Sequence, residues 1–131
     1  EKGVIVPVIR NAEEKNFIGL ARSAYDFALR AHSRKLSPDE LQGGTFTLTN
    51  PGMWGTMFGT PIISQPQVGI IATGSVTKRV VVMDDDSMAI RSIMYMSLSY
   101  DHRVVDGLNA ARYTQAITKK LEQFDLSEVG L

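Results

Sequence analysis

Residues 68–100 read VGIIATGSVTKRVVVMDDDSMAIRSIMYMSLSY. Two long apolar runs, Val68 to Met83 and Met88 to Tyr100, flank the polar break Asp84-Asp85-Asp86-Ser87. Both runs are rich in β-branched residues and the break is turn chemistry, so the pattern predicts one long hairpin. Beyond it, Ala110, Tyr113, Ile117 and Leu121 recur at spacings of three and four, which puts them on one face of a helix starting after Asp106, where an aspartate caps well. Before it, Thr45-Phe46-Thr47-Leu48-Thr49 alternates as a strand does, with Phe46 and Leu48 on one face and the threonines on the other, until Asn50-Pro51-Gly52 stops it.

Further toward the start, Leu20, Ala24, Phe27 and Ala31 mark one face of a helix capped by Asn16 and running to about Arg34, and Ser37-Pro38-Asp39-Glu40 reads as a capping box opening a second short turn. Residues 4 to 9 are β-branched and apolar except for Pro7, which lacks a ladder donor, so they predict an edge strand or a bulge. The order strand, helix, strand, hairpin, helix predicts an α+β fold with a mixed or antiparallel sheet covered by helices on one face.

Composition narrows the function. The 131 residues are 44% hydrophobic and 21% charged, the make-up of one compact domain rather than a disordered chain. Fourteen basic and fourteen acidic residues cancel, so no bulk field draws the chain to nucleic acid or an anionic membrane. No apolar run approaches the roughly 20 residues of a membrane span. With no cysteine, disulfides, thiolate metal sites and a cysteine nucleophile are excluded together. Asp84 to Asp86 lack the alternating ligands and distal glutamate of a calcium loop and read as a solvated turn. Phosphate-cradling and dinucleotide glycine loops are missing too.

The candidate chemistry lies in Asp101-His102-Arg103-Val104-Val105-Asp106-Gly107, between the last apolar run and the last helix. Strand ends carry reactive groups well, because a rigid scaffold aims them while substrate can still reach them. An imidazole with an ordinary pKa of about 6.5 can take a proton from a thiol near 8.5, so His102 suits a general base toward a thiol. On the residues themselves, a lone histidine such as His102 is more often an ordinary surface or core residue, and Asp106 can be read as only a cap. His32, late in the first helix, reads as exposed. Met53, Trp54, Met57 and Phe58 read as a buried or pocket-lining loop.

Ser99 to Gly107 resembles the His-x-x-x-Asp-Gly signature of the dihydrolipoamide acyltransferases, shared with the related chloramphenicol acetyltransferases. Glu1 to Val8, Gly43 to Asn50 and Thr60-Pro61-Ile62-Ile63 follow the same family's order, so the likeness covers essentially the whole chain. It implies a chloramphenicol acetyltransferase-like fold and acyl transfer between the dihydrolipoyl arm of a separate lipoyl domain and coenzyme A, which is a substrate, with no metal. His102 would be the base, its other ring nitrogen held by its own backbone carbonyl. Asp106 would orient the loop, and the hydroxyl of Thr49 would donate to the oxyanion. Met53, Trp54, Met57 and Phe58 could line the acyl or lipoyl channel, or simply pack.

The resemblance also implies a homo-oligomer, a trimer or a larger cage. Its active sites would be shared across subunit boundaries, so His102 and Thr49 should lie far apart within one chain. Partners would be the lipoyl domain and the dehydrogenase and dihydrolipoamide dehydrogenase subunits, in bacterial cytoplasm or mitochondrial matrix. The family's catalytic domain is longer, so residues 1–131 are expected to be its C-terminal part, without the first half or a lipoyl domain. Two rival readings are a structural oligomeric core disabled by truncation, and an acetyltransferase of the same fold acting on a free small molecule. Against the latter, Tyr100-Asp101 precedes His102 where those enzymes tend to carry another histidine.

Overall fold

The computed structural model describes residues 3–129. They fall into two compact units: Phe46–Lys119, and the described residues on either side of it. The fold is α+β, but the expected single core is small. Its buried apolar residues are Ile70, Ile71, Ala72 and Ala110 among those described.

The flanking unit is organised by α1 (Phe17–His32). The Asn16 side chain accepts from the Gly19 N–H at 2.8 Å, the cap its position calls for. Leu20, Phe27 and Ala31 are half-buried, whereas Ala24, expected on the same face, is exposed. The helix ends two residues before the expected Arg34. Arg34 turns left-handed (φ 56°) and the Lys35 N–H closes on the Arg30 carbonyl at 2.8 Å. That is the closure usually made with glycine, and the absence of a glycine hid it.

The capping box at Ser37 forms. The Glu40 carboxylate accepts from the Ser37 N–H (2.9 Å) and pairs with Arg30 (2.7 Å), which pulls its pKa down to about 2. Residues 4–9 are not a strand. Their only backbone tie among the described residues is the Val8 N–H to the Glu40 carbonyl, and Val4, Ile5 and Val6 are exposed. A β-branched run forms a ladder only where a neighbouring strand offers one.

Unit Phe46–Lys119 holds the strands β1 (Thr47–Thr49), β2 (Gly69–Thr73), β3 (Thr77–Val82), β4 (Met88–Ile93) and β5 (Met96–Tyr100), with α2 (Gly107–Glu122) running out of it. A mixed three-stranded sheet has the order β1-β2-β5, with β1 parallel and β5 antiparallel to β2. Central β2 is buried from Gly69 to Ala72, which explains its unbroken apolar run. The expected long hairpin forms in two pieces. The β2–β5 ladder ends at Thr73↔Met96 and the β3–β4 ladder begins at Thr77↔Ile93, so three residues oppose two. This is a bulge, and it divides the ribbon between two separate sheets.

On β1, Thr47 is buried and donates to Gln67 at 2.6 Å, while Leu48 is exposed. Phe46, just before the strand, packs edge-on against Tyr113 of α2 at 5.6 Å. Ala110, Thr114 and Ile117 make the covered face of α2, and Tyr113 and Leu121 stay partly outside it. Among the described residues no helix is long and apolar enough to cross a membrane.

Candidate active site

The end of β5 presents the histidine. One rung past the strand, the Asp101 N–H donates to the Val68 carbonyl (2.9 Å), and the Asp101 carbonyl accepts from Val104 (3.0 Å) and Val105 (2.9 Å). Its carboxylate accepts from the Arg103 N–H (3.0 Å), Nε (2.9 Å) and Nη2 (2.6 Å). These bonds hold the Asp101 pKa down to about 2 and raise that of Arg103. A carboxylate that closes its own turn thus fixes the two residues flanking His102.

The imidazole is exposed, and neither ring nitrogen makes a hydrogen bond with another described residue. Its ring lies 5.4 Å from that of Tyr100. The Asp101–Arg103 clamp escaped the sequence reading. Its signal is an acidic and a basic residue two apart in a turn, a spacing without periodicity.

Asp106 caps α2, as expected. Its Oδ1 accepts from the Asn109 N–H at 2.9 Å and its pKa is lowered by that bond first. The carboxylate is spent on Asn109 and makes no bond to His102.

Thr49 ends β1. It is half-buried, and its hydroxyl has no hydrogen-bond partner among the described residues. The segment after it is fixed by backbone contact. A Cβ on Gly52 would collide with the backbone at Gly74, one on Gly74 would collide with the Met57 carbonyl, and the Ser75 N–H donates to the Thr56 carbonyl at 2.8 Å. Only glycines allow backbones this close. With the backbone pinned inward, the side chains of Met53, Trp54, Met57 and Phe58 turn out. They are exposed, at 72%, 83%, 41% and 58%, so of the expected buried or pocket-lining loop the buried form is not seen.

Sheet register sets the distance between the two groups. Thr49 is level with Ala72 and Ser97, whereas Asp101 is level with Val68, four residues along and two strands across. At about 3.3 Å per residue and 4.8 Å per strand, their backbones are about 16 Å apart. One chain therefore brings His102 and Asp106 into one loop and leaves Thr49 at the other end of the sheet. An open cleft of about 630 Å³ lies on the histidine side, between Pro61, Ile62 and Ile63 and the Asp101–Arg103 clamp. Neither His102 nor Thr49 lines it.

Comparison with known proteins gives the family. The family model described as 2-oxoacid dehydrogenases acyltransferase (catalytic domain) matches residues 1–128, and the chain belongs to that family. It is 45% identical over 127 residues to the dihydrolipoyllysine-residue acetyltransferase component of the pyruvate dehydrogenase complex of Mycobacterium tuberculosis, covering 94% of this chain and 23% of that protein. To the succinyltransferase component of the 2-oxoglutarate dehydrogenase complex of Bacillus subtilis it is 41% identical, covering 93% and 29%.

Its fold matches the solved Azotobacter vinelandii dihydrolipoamide acetyltransferase with a TM-score of 0.87 at 39% identity, over 92% of this chain and 49% of that one. In that enzyme a serine, a histidine and an asparagine four residues beyond the histidine were examined for their roles in the catalytic mechanism. The chain thus spans about half of the solved chain and under a third of the two curated relatives.

Proposed function

We propose that residues 1–131 are the C-terminal part of the catalytic domain of a dihydrolipoamide acyltransferase, which moves an acyl group between the dihydrolipoyl arm of a lipoyl domain and coenzyme A. The observation that carries this reading is His102. It stands exposed on a turn clamped by Asp101 and Arg103, with both ring nitrogens free of other described residues. A base must reach its proton, and a rigid turn keeps it aimed.

His102 takes the proton of the acceptor thiol, whose sulfur then attacks the thioester carbonyl. Thr49 donates its hydroxyl to the oxyanion of the tetrahedral intermediate, and His102 returns the proton to the leaving sulfur. Asp106 holds the start of α2 through Asn109 and relays no proton. Spacing supports these roles: the serine examined in the Azotobacter enzyme precedes its histidine by nearly the interval between Thr49 and His102, and the asparagine follows at the interval of Asp106.

The 16 Å gap within one chain favours a site completed by a second copy, hence a homotrimer or a larger cage. The named relatives are components of pyruvate and 2-oxoglutarate dehydrogenase complexes, which supports lipoyl-domain, dehydrogenase and dihydrolipoamide dehydrogenase partners in the bacterial cytoplasm. The test is His102→Ala in the full-length protein. Acyl transfer from acetyl-dihydrolipoamide to coenzyme A should fall by roughly 10²–10⁴-fold with the assembly intact. Near wild-type turnover would remove His102 as the base.

A further inference from the structure

Gly107 opens α2, where glycine costs helix stability, and neither usual reason for a glycine applies there. Its φ lies outside the left-handed range, and a Cβ would meet nothing closer than ordinary contact. The two atoms it would meet are the Tyr100 hydroxyl oxygen at 3.7 Å and His102 Nε2 at 4.0 Å. The room left by the absent side chain is therefore bounded by the base and by a phenol.

Tyr100 is well fixed. It is half-buried, closes β5 opposite Gly69, and sets its ring 5.4 Å from the imidazole at 42°. Its hydroxyl makes no hydrogen bond with another described residue. A tyrosine hydroxyl that is both fixed and unspent is a donor waiting for a ligand atom.

We propose that Tyr100 and Gly107, with His102 Nε2, form the seat of the acceptor sulfur, and that Tyr100 is a further catalytic residue that donates its O–H to that sulfur. This rests on the acyltransferase reading and extends it. With no Cβ in the way, a sulfur can approach the Gly107 Cα from the side that faces both groups. As the S–H bond breaks, the proton passes to Nε2 and the electron pair stays on sulfur, where the Tyr100 hydrogen bond stabilises the growing charge. When that sulfur bonds to the acyl carbon and the dihydrolipoyl sulfur leaves, the leaving sulfur takes the proton back from Nε2. Tyr100 keeps its own proton throughout. Gly107 keeps the seat open.

The test compares Tyr100→Phe, Gly107→Ala and His102→Ala in the full-length protein, with coenzyme A and a more acidic arylthiol as acceptors. Tyr100→Phe should lower kcat with coenzyme A by roughly 10- to 100-fold with KM little changed, as for a lost hydrogen bond to a charged group. The deficit should shrink with the arylthiol, whose thiolate needs less help; a merely structural tyrosine would not shift that dependence. Gly107→Ala should raise KM for the thiol without lowering the melting temperature. Wild-type kcat for Tyr100→Phe with both acceptors, beside an inactive His102→Ala, overturns the role of Tyr100 and leaves the acyltransferase reading standing. If Tyr100→Phe loosens β5, Gly107→Ala decides, and an unchanged KM overturns the seat. Full activity in His102→Ala removes His102 as the base and overturns this proposal with it, whereas absence of acyl transfer in the wild type overturns the acyltransferase reading.

Discussion

Gly74→Ala is a demanding test of how Thr49 is held, because the glycine carries no reacting group and its effect is purely geometric. The added Cβ would overlap the Met57 carbonyl oxygen and sit 2.7 Å from the Met57 carbonyl carbon and 3.3 Å from the Tyr95 oxygen. All three are backbone atoms, so no side chain can swing aside. To regain the ~3.3 Å of a normal C···O contact, the loop after Thr49 must move off the bulge by more than about 1 Å. Overpacking of this kind typically costs about 1–3 kcal/mol. A displacement near 1 Å at a catalytic group can cost about 10²-fold in rate. Gly59→Ala is the control, since it lies in the same segment and its Cβ would meet only Pro51 Cγ at 3.8 Å. Melting and acyl-transfer assays should show Gly74→Ala impaired in both and Gly59→Ala near wild type. Indistinguishable variants would refute the claim that backbone contact at Gly74 positions the end of β1.

Two further predictions concern single groups. Thr49→Ser should be mild and Thr49→Val should lose about 10²–10³ in turnover with little change in apparent affinity, because only valine removes the donor; equal activities in the acyl-transfer assay would make Thr49 structural. The Asp101 carboxylate, held at about 2 by Arg103, has a folded pKa below its unfolded value, so its contribution to the turn is present above about 4 and lost as pH falls from there toward 2. Carbonyl-carbon NMR titration should show the low midpoint in the wild type and a return toward about 4 in Arg103→Gln. An ordinary midpoint in the wild type would remove the clamp.

Much of this architecture was readable where a regular pattern meets a matching partner. Alternation found β1, apolar spacing found both helices, and Asn16 and Asp106 cap them as their positions demand. Reading failed where an element depends on something distant. Residues 4–9 have strand composition but no ladder here, and the apolar side chains of loop 53–58 suit a buried or a pocket-lining place alike, because side-chain chemistry says nothing about which way a pinned backbone points. The bulge left only Gly74 as its mark, since counting three residues against two requires the register of both strands. Within the site, His102 and Asp106 stood out at a strand end and a helix start. Thr49 stood out only through family likeness, and its distance from His102 needs the order of the strands, which no single segment encodes.

The central claim is that His102 of one chain works with Thr49 of another. It is tested by unfolding full-length His102→Ala and Thr49→Val subunits, mixing them in equal amounts and refolding them together. In a closed cyclic assembly with random mixing, about a quarter of the sites regain both groups, because each neighbour is the suitable one about half the time. Activity should rise well above the average of the two separate variants. If both groups of a site belong to one chain, no site can recover, and activity no higher than that average after verified mixing would contradict the account.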